Sequence, residues 1–149
     1  MQHWANLNFE IMKKKHKGDL LSFILKSIEF KSGSNLFFTI SRLTENEIID
    51  IKKILEIDCT GFEHTIDDAA VRHAISKHGK DEKPVDIADF LLIPEIVSKY
   101  DKLQVGKKVN GLDRLMYQKK FGNNLVLVEY VTEIRKGRKS LSMVTMYKK

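Results

Sequence analysis

Three consecutive stretches near the C-terminal end constrain this chain most. LDRLMYQKK (112–120), NLVLVEYVTEI (124–134) and KSLSMVTMYKK (139–149) alternate apolar and polar residues. A period of two suits an extended chain with one face buried and one face wet. FGNN (121–124) and RKGRK (135–139) separate the stretches with turn residues, so the three predict an antiparallel meander. A further short strand is expected near Leu103–Val105. Such a sheet needs a covering layer over its apolar face.

The N-terminal two thirds supply that layer. DLLSFILKSIEF (19–30) reads as a helix with Asp19 as N-cap, though its Phe and Ile content also suits a strand. NLFFTISRL (35–43) reads as a strand. TENE (44–47) is a capping box, with Thr44 as N-cap and Glu47 three residues on. Behind it Ile48, Ile51, Ile54 and Leu55 recur at helical spacing, and Asp58 to Gly61 ends the run. HTIDDAAVRHAISKHG (64–79) predicts a second helix capped by Thr65. Its acids fall in the first turn and its cations in the last, with Gly79 as a stop. IADFLLIPEIVSKY (87–100) predicts short helical turns broken at Pro94. Residues 1–35, including the basic cluster KKKHK (13–17), read as a solvated arm or upstream segment, and 36–149 as the domain. The expected class is α+β, with helices packed on a C-terminal antiparallel sheet.

Charge is distributed unevenly. Residues 102–149 hold twelve Lys/Arg against three Asp/Glu, a net of +9, whereas residues 1–101 hold fourteen against seventeen, a net of −3. The basic excess sits on the predicted sheet, and such a field attracts polyanions, nucleic acid first among them. The alternative is a set of ordinary solvated lysines. Apolar runs such as FLLI (90–93) are far too short to span a bilayer. The stretch MQHWANLNFE lacks the charged-then-apolar order of a secretory signal. A single cysteine, Cys59, excludes an internal disulfide and argues against a cysteine-based zinc site. Action in the cytoplasm fits, as does delivery within a larger secreted or phage-borne protein.

RHAISKHG (72–79) puts Arg72, His73, Ser76 and Lys77 close together on one helical face. At about 100° per residue, His78 points about 140° away from His73, so the two are not an i,i+4 metal pair. Each histidine is either an ordinary helix residue or part of an acid–base site. Arg114, Tyr117, Lys119, Thr145 and Tyr147 are cations and hydroxyls of the sheet that can face that helix; which alternating set of each strand faces outward stays open. Glu129 stands apart as a carboxylate inside the apolar run LVLVEYV, costly in a central strand unless paired. Together these residue types suit cleavage of an RNA phosphodiester without a metal. The reaction needs a base for the ribose 2′-hydroxyl, an acid for the leaving oxygen, and donors for the charged phosphorane. Histidine can serve either proton role. No carboxylate cluster of the two-metal kind stands at obvious spacing.

Four blocks follow in order: EHTIDDAAVRHAISKHG, IADFLLIPEIVSKYDKL, NGLDRLMYQKKFGNNLVLVEYV and GRKSLSMVTMYKK. Over residues 36–149 they resemble the phage-associated nuclease domains of the Barnase–EndoU–colicin–RelE-like (BECR) superfamily, found in MuF-type and polymorphic toxin proteins. The resemblance implies helices on an antiparallel sheet. It also implies a metal-independent endoribonuclease toxin without cofactors that cuts RNA, often transfer RNA, to a 2′,3′-cyclic phosphate, with an immunity or antitoxin protein as partner. Carried onto this chain it points to His73, His78, Lys119, Glu129 and Thr145 as catalytic residues, and to Arg72, Tyr117 and Tyr147 as substrate-binding ones. His73 is the expected general base or acid, Lys119 and Arg72 neutralise phosphate, Thr145 bonds a phosphoryl oxygen, and Glu129 orients or carries a second proton. The competing expectation is a nucleic-acid-binding module of a phage or toxin protein without catalysis, whose affinity falls steeply with salt. An enzyme acting on nucleotides has less support, since no Gly-rich phosphate loop is present.

Overall fold

The computed structural model describes residues 14–29, 35–135 and 138–149. The chain order is β1 (Lys14–Lys15), α1 (Leu20–Glu29), β2 (Leu36–Arg42), α2 (Glu45–Leu55), β3 (Glu63–Asp67), α3 (Asp68–His78), α4 (Ile87–Phe90), α5 (Ile93–Ser98), β4 (Lys102–Val105), β5 (Arg114–Phe121), β6 (Asn124–Arg135) and β7 (Arg138–Lys148). The strands form one seven-stranded sheet in the order β1-β2-β3-β7-β6-β5-β4. The expected meander is its second half, where β4 through β7 pair antiparallel. The first half joins it through β3, which runs parallel to β7. The fold is α+β, as the alternation and the preceding helices required.

Local chemistry accounts for the element ends. Thr44 Oγ1 accepts from Glu47 N at 3.2 Å, while Glu47 Oε2 accepts from Thr44 N at 2.6 Å, so both halves of the capping box form. Gly122 (φ 59°) and Asn123 make the two-residue loop between β5 and β6. Asn110 and Gly111, with φ of 53° and 77°, make the tight turn that reverses the loop from β4 to β5.

Three expectations change. The second helix does not start at Thr65. Glu63–Asp67 is strand β3, and the helix begins at Asp68. His64, Thr65 and Ile66 are buried in the sheet between β2 and β7, and that pairing overrides the acidic, helix-like start. Pro94 does not break a helix; it sits in the first turn of α5, where its missing N–H costs nothing. The boundary at 35/36 does not separate Lys14–Glu29 from the domain. β1 pairs with β2, and Phe23 and Ile24 of α1 are fully buried in the common core. Within the basic cluster Lys14, Lys15 and Lys17 are exposed, but His16 is buried beside Phe23 and Phe38. Residues 1–13 and 30–34 of the expected arm, and 136–137 of the last turn, lie outside the described residues. No described helix is long and apolar enough to cross a membrane.

Pairing register sorts the meander into two faces. Leu115, Tyr117 and Lys119 of β5 share one face with Val126, Val128 and Tyr130 of β6 and with Leu141, Met143 and Met146 of β7. Apart from Lys119, all of these are buried in the core beneath the helices. The other face carries Arg114, Met116 and Gln118 of β5, Leu127 and Glu129 of β6, and Thr145 and Tyr147 of β7. A bulge at Val144, between the Glu129–Thr145 and Tyr130–Met143 pairs, keeps this register.

Candidate active site

Glu129 is the centre of the second face. Its Cα partners are Met116 on β5 and Thr145 on β7. Its partner is Arg114, whose Nη1 meets Glu129 Oε1 at 3.2 Å, with both side chains mostly buried. Arg114 Nε is buried without a hydrogen-bond partner among the described residues, and so is Thr145 Oγ1, although Thr145 lies directly across the ladder from Glu129. Space beside the pair is kept by Gly106. A Cβ there would stand 3.2 Å from Arg114 Cβ and 3.7 Å from Glu129 Oε1. One carboxylate, one guanidinium and one buried hydroxyl thus sit on three adjacent strands of one face.

A histidine reaches this patch from α3, but it is not His73. Val71 and Ala74 are the buried positions of α3, and His78 follows them at seven and four residues, on the same helical face. His73 falls on the opposite side and is exposed; among the described residues no hydrogen bond or ring contact ties it to the sheet. The His78 ring stacks on Tyr147, centroids 5.3 Å apart at 29°. Its Nδ1 donates to Asp81 Oδ2 at 2.8 Å, which orients the ring. Tyr147 in turn leans over Met116, with its hydroxyl 3.8 Å from the thioether. Burial, with the Glu129 charge added, raises the Tyr147 phenol above its ordinary range, so it stays neutral.

Three other expected site residues sit elsewhere. Tyr117 is fully buried on the core face, where its hydroxyl donates to Glu47 Oε1 at 2.8 Å. Lys119, also on that side of β5, donates to the Lys99 carbonyl at 2.9 Å and lies 3.6 Å from Asp101 Oδ1, closing the end of α5. Arg72 ties α3 to α1, donating to Asp68 Oδ2 at 2.9 Å and to the Ser27 carbonyl at 3.1 Å. The structure therefore gathers His78, Glu129, Thr145 and Tyr147, and leaves out His73, Arg72, Tyr117 and Lys119. The cation at the patch is Arg114, a candidate of the sheet from the sequence, two residues before Met116 on the same face. Gly106 and Asp81 went unassigned in the sequence. Among the described residues no three His, Cys, Asp or Glu side chains group to hold a metal ion.

Tyr147 serves as the platform for His78, which gives a contrast between two substitutions. Tyr147→Phe keeps the stacked ring and is expected to hold activity within about threefold. Tyr147→Ala removes the ring and is expected to cost about ten- to a hundredfold, the order lost when a side chain of a site is misplaced. Steady-state cleavage rates of the two variants check this.

No curated protein and no solved structure matches the chain. A protein-family model does, over residues 42–149, from the end of β2 through β7: phage-Barnase-EndoU-ColicinE5/D-RelE like nuclease 3. That span includes every element that builds the patch, so the chain belongs to this BECR-like family of nucleases.

Proposed function

We propose that this nuclease is a metal-independent endoribonuclease toxin domain that cuts RNA, transfer RNA among its targets, by 2′-hydroxyl transesterification. The observation that carries the reading is the Glu129–Arg114 pair on the partly open face of a strongly basic sheet, with Thr145 across the ladder from Glu129. Glu129 takes the proton of the ribose 2′-hydroxyl. The freed oxygen attacks phosphorus while Arg114 and Thr145 donate to the phosphoryl oxygens, whose charge grows in the phosphorane. The bond to the 5′-oxygen breaks, and His78 Nε2–H protonates that leaving oxygen. The products are a 2′,3′-cyclic phosphate and a 5′-hydroxyl. Asp81 and Tyr147 hold the imidazole in place through the reaction.

Such an enzyme acts in a cytoplasm, reached as part of a larger phage-borne or secreted protein, and requires an immunity or antitoxin protein in the cell that makes it. Incubation with total RNA in EDTA, resolved on denaturing gels, tests the reading. Fragmentation by the parent and by His73→Ala, with loss of about a hundredfold or more in His78→Ala, is expected. RNA that is bound but left whole would move the protein to the class of non-catalytic nucleic-acid-binding modules.

A further inference from the structure

Beyond Met116 the same sheet face continues into an amide pair. Gln118 of β5 donates through Nε2 to Gln104 Oε1 of β4 at 2.5 Å. Gln104 is the Cα partner of Met116, and Lys102 that of Gln118, so all lie on the face that carries Arg114 and Glu129. Gln104 and Lys102 are exposed and Gln118 is partly so. Whichever way each amide is turned, the bond between them spends one carbonyl and one N–H. One outward NH₂ and one outward carbonyl remain, side by side. Met116 and Gln118 stand about 7 and 14 Å along β5 from Arg114, with Met116 directly opposite Glu129. The strip therefore runs from cation and carboxylate, over a thioether, to a paired donor and acceptor with a lysine beside it.

We infer that Gln104 and Gln118 form a nucleobase-reading subsite next to the scissile phosphate. The inference rests on the nuclease reading above and adds to it a specificity element. Amide side chains are suited to nucleobase edges because a base also presents a donor beside an acceptor, and matching both at once discriminates between bases. Met116 supplies a polarizable floor for the base, and Lys102 holds the next phosphate. Fixing the two amides on each other across the ladder removes most of their rotamer freedom before the base arrives.

The test uses a pool of single-stranded RNA of random sequence, with cut ends read by sequencing. The parent is expected to enrich one base at a fixed position beside the cut by about tenfold or more, the order a bidentate contact gives. Gln104→Ala/Gln118→Ala is expected to cut more slowly and to bring that enrichment down to about twofold or less. Gln118→Glu, which keeps the shape and leaves only acceptors outward, is expected to change which base is enriched. Circular dichroism melts confirm that each variant is folded. Cutting by the parent with no base preference, or the same preference in parent and both variants, would overturn the subsite and reduce the pair to a strand contact. No cutting by the parent at all would overturn the nuclease reading, and the subsite with it.

Discussion

Glu129→Gln is expected to slow RNA cleavage by about 10²- to 10⁴-fold while the chain stays folded. The substitution keeps the shape of the side chain and replaces the carboxylate proposed to take the 2′-hydroxyl proton by an amide too weakly basic to do so. It also removes the negative partner of Arg114, whose guanidinium then meets substrate phosphate with no competitor. Binding of RNA is therefore expected to hold or tighten as the rate collapses, a split that a merely structural role does not produce. Measuring the single-turnover rate and the binding constant on one labelled RNA checks both halves. A rate loss of less than about tenfold would exclude Glu129 as the base.

The second large effect lies in the core and concerns stability. Glu47 is 1% exposed, and both of its oxygens are occupied: Oε1 accepts from His64 Nε2 at 2.5 Å and from the Tyr117 hydroxyl at 2.8 Å, and Oε2 from Thr44 N at 2.6 Å. One side chain thus caps α2, holds β3 and holds β5. Glu47→Ala leaves a fully buried imidazole and a fully buried phenol without their partner and removes half of the capping box. A loss of about 3–5 kcal/mol is expected, the range for removing one member of a buried charged network. That is a large share of the roughly 5–15 kcal/mol that holds a domain of this size. Tyr117→Phe removes a single donor and keeps the ring, and about 1–2 kcal/mol is expected. Urea unfolding curves separate the two. A loss under about 1 kcal/mol in Glu47→Ala would show that the network is not what joins the helix to the sheet.

These two carboxylates mark where the sequence was readable. Strands β5, β6 and β7 were legible because extended, partly alternating stretches are set apart by turn residues, and the start of α2 because the capping box announces it. Glu129 stood out because a charge in an apolar strand demands a partner. The identity of that partner was not legible. Both alternating sets of β5 mix apolar and basic residues, so sequence alone did not choose between Arg114 and Lys119; the pairing with β6 does. β3 was hidden because its last residue, Asp67, and Asp68 behind it look like the acidic first turn of a helix. Its parallel pairing with β7, some 77 positions away at Thr65–Ser142, leaves no local trace. The two histidines, both singled out in the sequence, are different. Val71, Ala74 and His78 form one helical stripe in the sequence itself, so the apolar face of α3 distinguishes the side of His78 from that of His73.

The chemistry of the cut end bears most directly on a reaction run by side chains alone. Total RNA treated with the parent protein in EDTA is expected to carry 2′,3′-cyclic phosphate on its upstream fragments and a free 5′-hydroxyl on the downstream ones. Fragments ending in a 3′-hydroxyl with a 5′-phosphate would mean that water, not the ribose oxygen, attacks phosphorus, and the roles given to Glu129 and His78 would be wrong.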